Sequence, residues 1–359
     1  LQQRGKMKNN ILVVGTGTIG EPLIGLLADF KKKLKISEVM FHKRTPLRDE
    51  VGKVESMVKR GAQLTVDENK INSFKELGHT PKYTFEEALN RAKVIIDCTP
   101  AGNDNKQKIY SKYEDKFFIA QGSEKGFGIP YAYGINDEAL LKHKDNFLQV
   151  VSCNTHNVSS LVDTLSSHRV EKNFVMGDFT CIRRSNDISQ HAGFSPSPEV
   201  GKHKNTRFGT HHAKDSYDLF RTLNLLPNLF SSAMKLNTQY MHIIRFNVEV
   251  RGFANTEDVV NKFKENKFTA LTYKNLANKV FSFGRDHGYY GRIFNHTVVA
   301  VDSLNTRSYM GNTIVSGFCF TPQDGNSLLT SVAAAMYAIH GSDYKNYMAC
   351  LDSLLFTEI

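Results

Sequence analysis

Asn10-Ile11-Leu12-Val13-Val14 runs directly into Gly15-Thr16-Gly17-Thr18-Ile19-Gly20, and Glu21-Pro22 then opens a helical pattern that carries through Lys33. A short apolar run of this kind, bounded by glycine, reads as a buried strand. Gly15 makes the turn, Gly17 lets a pyrophosphate reach the backbone, and Gly20 permits close helix–strand packing; Thr18 and Ile19 complete the loop. Pro22 falls in the first helical turn, where its missing N–H costs little. Strand, GxGxxG and helix in this order are a dinucleotide fingerprint.

The strands that follow extend this reading. Glu38 to His42 reads as the second strand. NAD-specific folds commonly end this strand in Asp or Glu, which binds the ribose 2′-hydroxyl. Here it ends in Lys43-Arg44-Thr45-Pro46. Basic groups there suit a 2′-phosphate and favour NADP over NAD, the other reading being an exposed Lys–Arg pair. Thr84-Phe85-Glu86-Glu87 has the form of a capping box. Lys93 to Asp97 is the next strand and ends in Cys98-Thr99-Pro100; Phe117 to Ala120 ends in Gln121-Gly122-Ser123. Ligands of open α/β sheets sit at such strand ends, which makes Thr99, Pro100, Gly122 and Ser123 cofactor candidates. Cys98 has no nearby base and reads as a loop-lining residue. Strands alternating with helices over about 150 residues imply a doubly wound, Rossmann-type parallel sheet.

Phe147 to Val151 is another apolar run, ending in Ser152-Cys153-Asn154-Thr155-His156-Asn157, with a helix-like segment from Ser159 to Leu165. A cysteine where a helix begins feels the positive end of the helix dipole, which lowers a thiol pKa and makes a nucleophile. An inert, buried cysteine is the competing reading.

Beyond Val170 the pattern changes. Phe174 to Ile182 reads as a strand ending in Arg183-Arg184, a solvated pair or a phosphate clamp. Ser185 to Asp215 reads as a long loop that contains His211-His212. Met241 to Val250 alternates, with His242, Ile244, Phe246, Val248 and Val250 on one face, as a half-buried antiparallel strand does. His242 therefore opens an apolar face, either as a hydrogen-bonded rim histidine or as a base brought over Cys153. Further strands are expected at Phe294 to Asp302 and Asn312 to Phe320, and an apolar helix at Ser327 to Ile339. The expected class is α/β: a cofactor domain over 1–152, an α+β catalytic domain with a mostly antiparallel sheet over 153–325, and a C-terminal helix, 326–359, returning to the first domain. Residues 1–6 read as a leader or cloning remnant.

Composition narrows the class. The chain has 359 residues, 40% hydrophobic, with net charge +10. A basic surface suits an anionic ligand, and no aromatic-interleaved basic motif points to nucleic acid. Five scattered cysteines without a CxxC pair suggest neither zinc nor a disulfide framework, so a reducing, cytoplasmic setting is expected. His211-His212 lack a completing cysteine or acid for zinc. No apolar run reaches the roughly 18 residues of a membrane span.

Taken together, these segments resemble the archaeal-type (type II) glyceraldehyde-3-phosphate dehydrogenase family. The glycine loop, Lys43-Arg44-Thr45-Pro46, Asp97-Cys98-Thr99-Pro100, Gln121-Gly122-Ser123-Glu124-Lys125, Val150 to Thr155, Ile182-Arg183-Arg184, Thr210-His211-His212 and Met241-His242 fall in the family's order. Gln323-Asp324 echoes its C-terminal Gln-Glu segment. The resemblance implies a phosphorylating, NAD(P)-dependent aldehyde dehydrogenase, with a small phosphorylated aldehyde and inorganic phosphate as partners and a homotetramer as the assembly. It implies Cys153 as nucleophile, His242 as base and Asn154 at the oxyanion. Ser152, Thr155, Arg183, His211 and His212 would lie about substrate and phosphate, and Arg184 and Gln323 near the cofactor. His156-Asn157 stands where the family has Thr-Gly, and Ser185-Asn186-Asp187-Ile188 where it has Gly-Ala-Asp-Pro. A semialdehyde dehydrogenase or acyl-phosphate reductase of the same superfamily, and a non-catalytic dinucleotide-binding protein, are the alternative readings.

Overall fold

Eight short strands build the first sheet: β1 (Asn10–Val14), β2 (Glu38–His42), β3 (Gln63–Val66), β4 (Tyr83–Thr84), β5 (Val94–Asp97), β6 (Phe117–Ala120), β7 (Ile129–Tyr131) and β8 (Phe147–Val150). The computed structural model describes residues 8–122, 124–142, 145–186, 195–253 and 255–359. By its internal packing the chain divides into two units. The first holds the described residues through Tyr131 together with Leu140–Val150 and Leu328–Asp352; the second holds Ala132–Ala139, Val151–Ser327 and Ser353–Ile359.

In the first unit the strand order is β4-β3-β2-β1-β5-β6-β8-β7, and every neighbouring pair is parallel. Parallel strands with both faces covered need continuous apolar runs, and Ile11, Leu12, Val13, Val94, Ile95 and Ile96 are all fully buried. Strand order reverses between β1 and β5. A crevice therefore opens at their carboxyl ends, which is where such sheets bind ligands. The glycine loop and Thr99 meet there. Gly15 has φ +94°, and a Cβ on it would lie 2.9 Å from Thr99 Cγ2. The helix Gly20–Asp29 starts directly from the loop, four residues short of the expected Lys33. The apolar C-terminal helix spans Gly325–His340, and from Leu328 it belongs to this unit, with Gln121 Nε2 donating to Ser331 Oγ at 3.0 Å.

The second unit carries β9 (Phe174–Arg183), β10 (Glu199–Val200), β11 (Leu229–Lys235), β12 (His242–Val250), β13 (Thr269–Thr272), β14 (Thr297–Tyr309) and β15 (Asn312–Thr321), in the order β10-β11-β9-β12-β15-β14-β13. Four of its pairings are antiparallel; β9/β11 and β13/β14 are parallel. β12 lies between β9 and β15 and buries alternate residues as expected. The helix Cys153–Leu165 packs Val158, Leu161, Val162 and Leu165 with Phe179, Ile244, Phe246 and Val248.

Three local expectations change. The helix expected from Ser159 begins at Cys153, because Asn154 to Asn157 are helical but polar and buried, and show no apolar period. His211-His212 open a helix, His211–Arg221, rather than lying within a loop. The strand expected to end at Asp302 runs on to Tyr309 and turns into β15 through Met310 (φ 48°) and Gly311 (φ 80°). A two-residue hairpin turn with both residues at positive φ usually carries Asn-Gly, so Met-Gly gave no signal.

Within the glycine loop, Gly20 is the position where added bulk has least room, since a Cβ would lie 2.1 Å from the Gly15 carbonyl oxygen. Gly20→Ala is expected to lower stability by about 1–3 kcal/mol, the usual cost of overpacking, and to weaken dinucleotide binding. Thermal unfolding and dye-displacement titration measure the two effects.

Candidate active site

Cys153 is the first residue of its helix. Ser152 caps that helix in an extended conformation; its Oγ accepts from Thr155 N–H at 3.3 Å and contacts Thr155 Oγ1 at 2.9 Å. Thr155, expected beside substrate, is fully buried with its hydroxyl in this cap. Cys153 is partly exposed, and its carbonyl oxygen accepts from Asn326 Nδ2 at 3.2 Å. The thiol thus sits at the positive end of a 13-residue helix, where a thiolate is favoured.

His242 opens β12 and is 8% exposed. Its Nδ1 is 3.2 Å from Oδ1 of Asn154, the residue after Cys153, and its Nε2 is 3.1 Å from Gln323 Nε2. The Asn154 oxygen also accepts from Thr321 Oγ1 at 3.1 Å. Thr321 pairs with His242 across β12 and β15. Nucleophile segment and candidate base are thus joined through a single side chain. Gln323, expected near the cofactor, lies against His242.

His156 and Asn157 lie behind this surface, both fully buried. His156 Nδ1 is 3.0 Å from the Ser152 carbonyl oxygen. Burial, with His296 nearby, holds its pKa well below the usual 6.5, so it stays neutral. The His296 ring lies 5.1 Å from it and stacks on Phe268 at 4.9 Å. His296 Nε2 is 2.7 Å from the Tyr133 carbonyl oxygen, and burial pulls its pKa down to about 4.

The anion candidates occupy different settings. The last β9–β12 pair is Ile182 with Ile243, so Arg183 ends β9 at the level where His242 begins β12. Arg183 is exposed. Arg184 is buried and donates from Nη1 to the Tyr240 carbonyl at 2.9 Å. His212 is buried with Nδ1 3.1 Å from Thr210 Oγ1, and His211 is exposed with its ring 4.0 Å from that of His212. Their helix is tied to the Cys153 helix by Ser159 Oγ and Ser216 Oγ at 2.7 Å. Among the described residues no group of three His, Cys, Asp or Glu is placed to hold a metal ion.

In the first unit, the surroundings of the glycine loop fit a dinucleotide. Gly17 is exposed, and a Cβ there would meet nothing within 4 Å, which leaves the backbone open to a pyrophosphate. Buried Asp97 fixes the β5 loop by accepting from Thr99 N–H (2.8 Å), Thr99 Oγ1 (2.6 Å), Asn105 Nδ2 (2.7 Å) and Tyr110 OH (2.7 Å). Cys98 lies beside it, and burial and the carboxylate raise its thiol pKa. After β2, Lys43 is buried and paired with Glu50, which also accepts from Lys53 at 2.5 Å. Arg44 and Thr45 are exposed. Pro100 is exposed, and the Gly122 carbonyl accepts from Gln149 at 3.3 Å. Ser123 lies outside the described residues. No helix among the described residues is long and apolar enough to cross a membrane.

Thr321 and Asn157 were not among the sequence candidates. The departure at His156-Asn157 marked the place, but the pairing of β12 with β15 had no local sign.

The chain is similar along most of its length to archaeal proteins named glyceraldehyde-3-phosphate dehydrogenase. It is 25% identical to that of Pyrobaculum neutrophilum over 305 residues, covering 82% of this chain and 83% of the relative. The Archaeoglobus fulgidus protein is 26% identical over 273 residues (72% of each), and the Picrophilus torridus protein 28% identical over 255 (69% of this chain, 68% of the relative). No protein-family model matches the chain.

The buried histidines predict an acid limit. The unfolded chain takes up a proton near pH 6.5, whereas folded His296 does so only near 4. Stability is then fully present above pH 6.5 and is lost as pH falls toward 4, by about 3 kcal/mol from this group. Urea unfolding at pH 7 and pH 4.5 measures the loss, and His296→Gln is expected to flatten it.

Proposed function

As a member of the archaeal-type glyceraldehyde-3-phosphate dehydrogenase family, an assignment its aligned relatives support, this chain is, we propose, a phosphorylating aldehyde dehydrogenase. It converts glyceraldehyde 3-phosphate, inorganic phosphate and NAD(P)+ to 1,3-bisphosphoglycerate through a thioester on Cys153. The observation that carries the reading is the contact of His242 with Asn154, beside a cysteine at a helix N-terminus. The family resemblance extends the proposal to a cytoplasmic homotetramer.

The dinucleotide, when bound, supplies a hydride acceptor. Gly15, Gly17, Thr18, Ile19 and Gly20 would hold its pyrophosphate, with Thr99, Pro100 and Gly122 along the neighbouring strand ends. Arg44 is the freer cation for a 2′-phosphate, since Lys43 is held by Glu50, and this favours NADP.

The protein's own residues perform the rest. The Cys153 thiolate attacks the aldehyde carbon and forms a C–S bond, and the oxyanion so formed takes the proton that His242 had drawn from the thiol, giving a thiohemiacetal. The Cys153 N–H and the Asn154 amide group are the donors proposed for its oxyanion. His242 takes the hydroxyl proton at Nε2 as the carbon loses hydride, leaving a thioester. A phosphate oxygen then attacks the thioester carbonyl, the C–S bond breaks, and the acyl phosphate departs with the thiolate restored. Arg183, Arg184, His211 and His212 hold the two phosphate groups, with Ser152 beside them.

Cys153→Ser is expected to lower kcat for the triose phosphate by at least about a thousandfold, because a neutral hydroxyl replaces an activated thiol. Activity retained by this variant, or turnover of aspartate or succinic semialdehyde in place of the triose phosphate, would overturn the proposal. Arg44→Glu is expected to shift the NADP-to-NAD ratio of kcat/KM by about ten- to a hundredfold toward NAD, the scale of a lost charge-assisted hydrogen bond. An unchanged ratio would remove Arg44 from the cofactor site.

A further inference from the structure

The hydrogen bonds behind His242 have a direction, and it can be traced from a group that cannot reverse. The Phe320 backbone carbonyl only accepts, and Asn157 Nδ2 lies 3.4 Å from it. Asn157 therefore points its amide N–H groups toward Phe320 and, at 2.8 Å, toward Thr321 Oγ1. The other end of Asn157 agrees. Its Oδ1 lies 3.3 Å from Cys319 Sγ, whose thiol burial pushes up to about 12, so that it remains a donor. Thr321 Oγ1 thus receives a proton from Asn157 and passes its own to Asn154 Oδ1 at 3.1 Å. An amide oxygen offers only acceptance, so the bond between Asn154 Oδ1 and His242 Nδ1 needs the proton on Nδ1.

We propose that Asn157 and Thr321 are positioning residues that fix neutral His242 as the Nδ1–H tautomer and so leave its base lone pair on Nε2. Gln323 Nε2 faces that nitrogen at 3.1 Å as a donor. The constraint matters because a neutral histidine in water favours the proton on Nε2, which would leave no lone pair on the nitrogen assigned here as the base. The ring's other hydrogen bond decides which nitrogen is protonated, and here that bond is decided by two side chains that do not touch the ring. Buried polar groups of this kind are held in one arrangement because any reversal strands a donor against a donor. The inference rests on the reading of His242 as the base, and its test is arranged so that the two fail separately.

The experiment is long-range proton–nitrogen NMR on the full chain labelled with 15N-histidine, His242 being assigned by loss of its signals in His242→Gln. Without any substrate, the wild type is expected to show His242 protonated at Nδ1 and bare at Nε2 above its pKa. Thr321→Val keeps the shape and removes the hydroxyl. It is expected to move His242 toward the Nε2–H pattern and to lower kcat/KM about tenfold with KM for the aldehyde little changed. Thr321→Ser is expected to restore both. Asn157→Asp at pH 8 presents an acceptor to Thr321, reverses the chain, and is expected to shift the same signals. A wild-type Nε2–H pattern, or variants that leave the tautomer in place, would overturn the proposal. A correct tautomer response in a protein that turns over no aldehyde would overturn the functional reading instead.

Discussion

One acceptor atom, Asn154 Oδ1, takes a hydrogen bond from Thr321 and one from His242. The geometry of the candidate site in the second unit depends on that atom. Asn154 belongs to the Cys153 helix, Thr321 to β15 and His242 to β12, so three elements distant in sequence must agree for both bonds to form. Each such bond contributes only about 1 kcal/mol net, but a buried partner left unmet costs about 1–3 kcal/mol. The site is therefore held by the penalty for misplacement more than by the strength of any contact. The apolar contacts of Val158, Leu161 and Val162 with Ile244 and Phe246 keep helix and sheet in register.

The same economy of polar groups appears in the first unit. Asp97 gathers hydrogen bonds from three side chains and a backbone N–H, and so fixes the loop beside the glycines. Glu50 gathers Lys43 and Lys53. Of the basic pair after β2, one member thus serves the fold and the other faces solvent, a division of labour that the adjacent residue types did not reveal.

What the chain made legible was local. The glycine loop announced itself because turn, close approach and helix start are all written within eleven residues. The alternation of β12 was visible for the same reason. The doubly wound sheet followed from repeated strand–helix alternation, and the eight parallel strands form it. The start of the Cys153 helix was hidden, since Asn154, Thr155, His156 and Asn157 are buried through hydrogen bonds and leave no apolar period. Long-range pairing was hidden too. Nothing near Thr321 or Gln323 in sequence says that each ends beside His242. His211-His212 looked like loop residues because the preceding stretch is rich in Ser, Pro and Gly, although a helix of amphipathic character begins at them.

The central claim is that the substrate carbon becomes bonded to Cys153. Withholding inorganic phosphate should stop the reaction after that bond is oxidised. Protein mixed with glyceraldehyde 3-phosphate and NADP in a phosphate-free buffer, then quenched in acid, is expected to carry one 3-phosphoglyceroyl group per chain on the peptide containing Cys153, and to lose it when phosphate is added before the quench. An unmodified Cys153 peptide under turnover conditions, or an acyl group on another cysteine, would contradict the account.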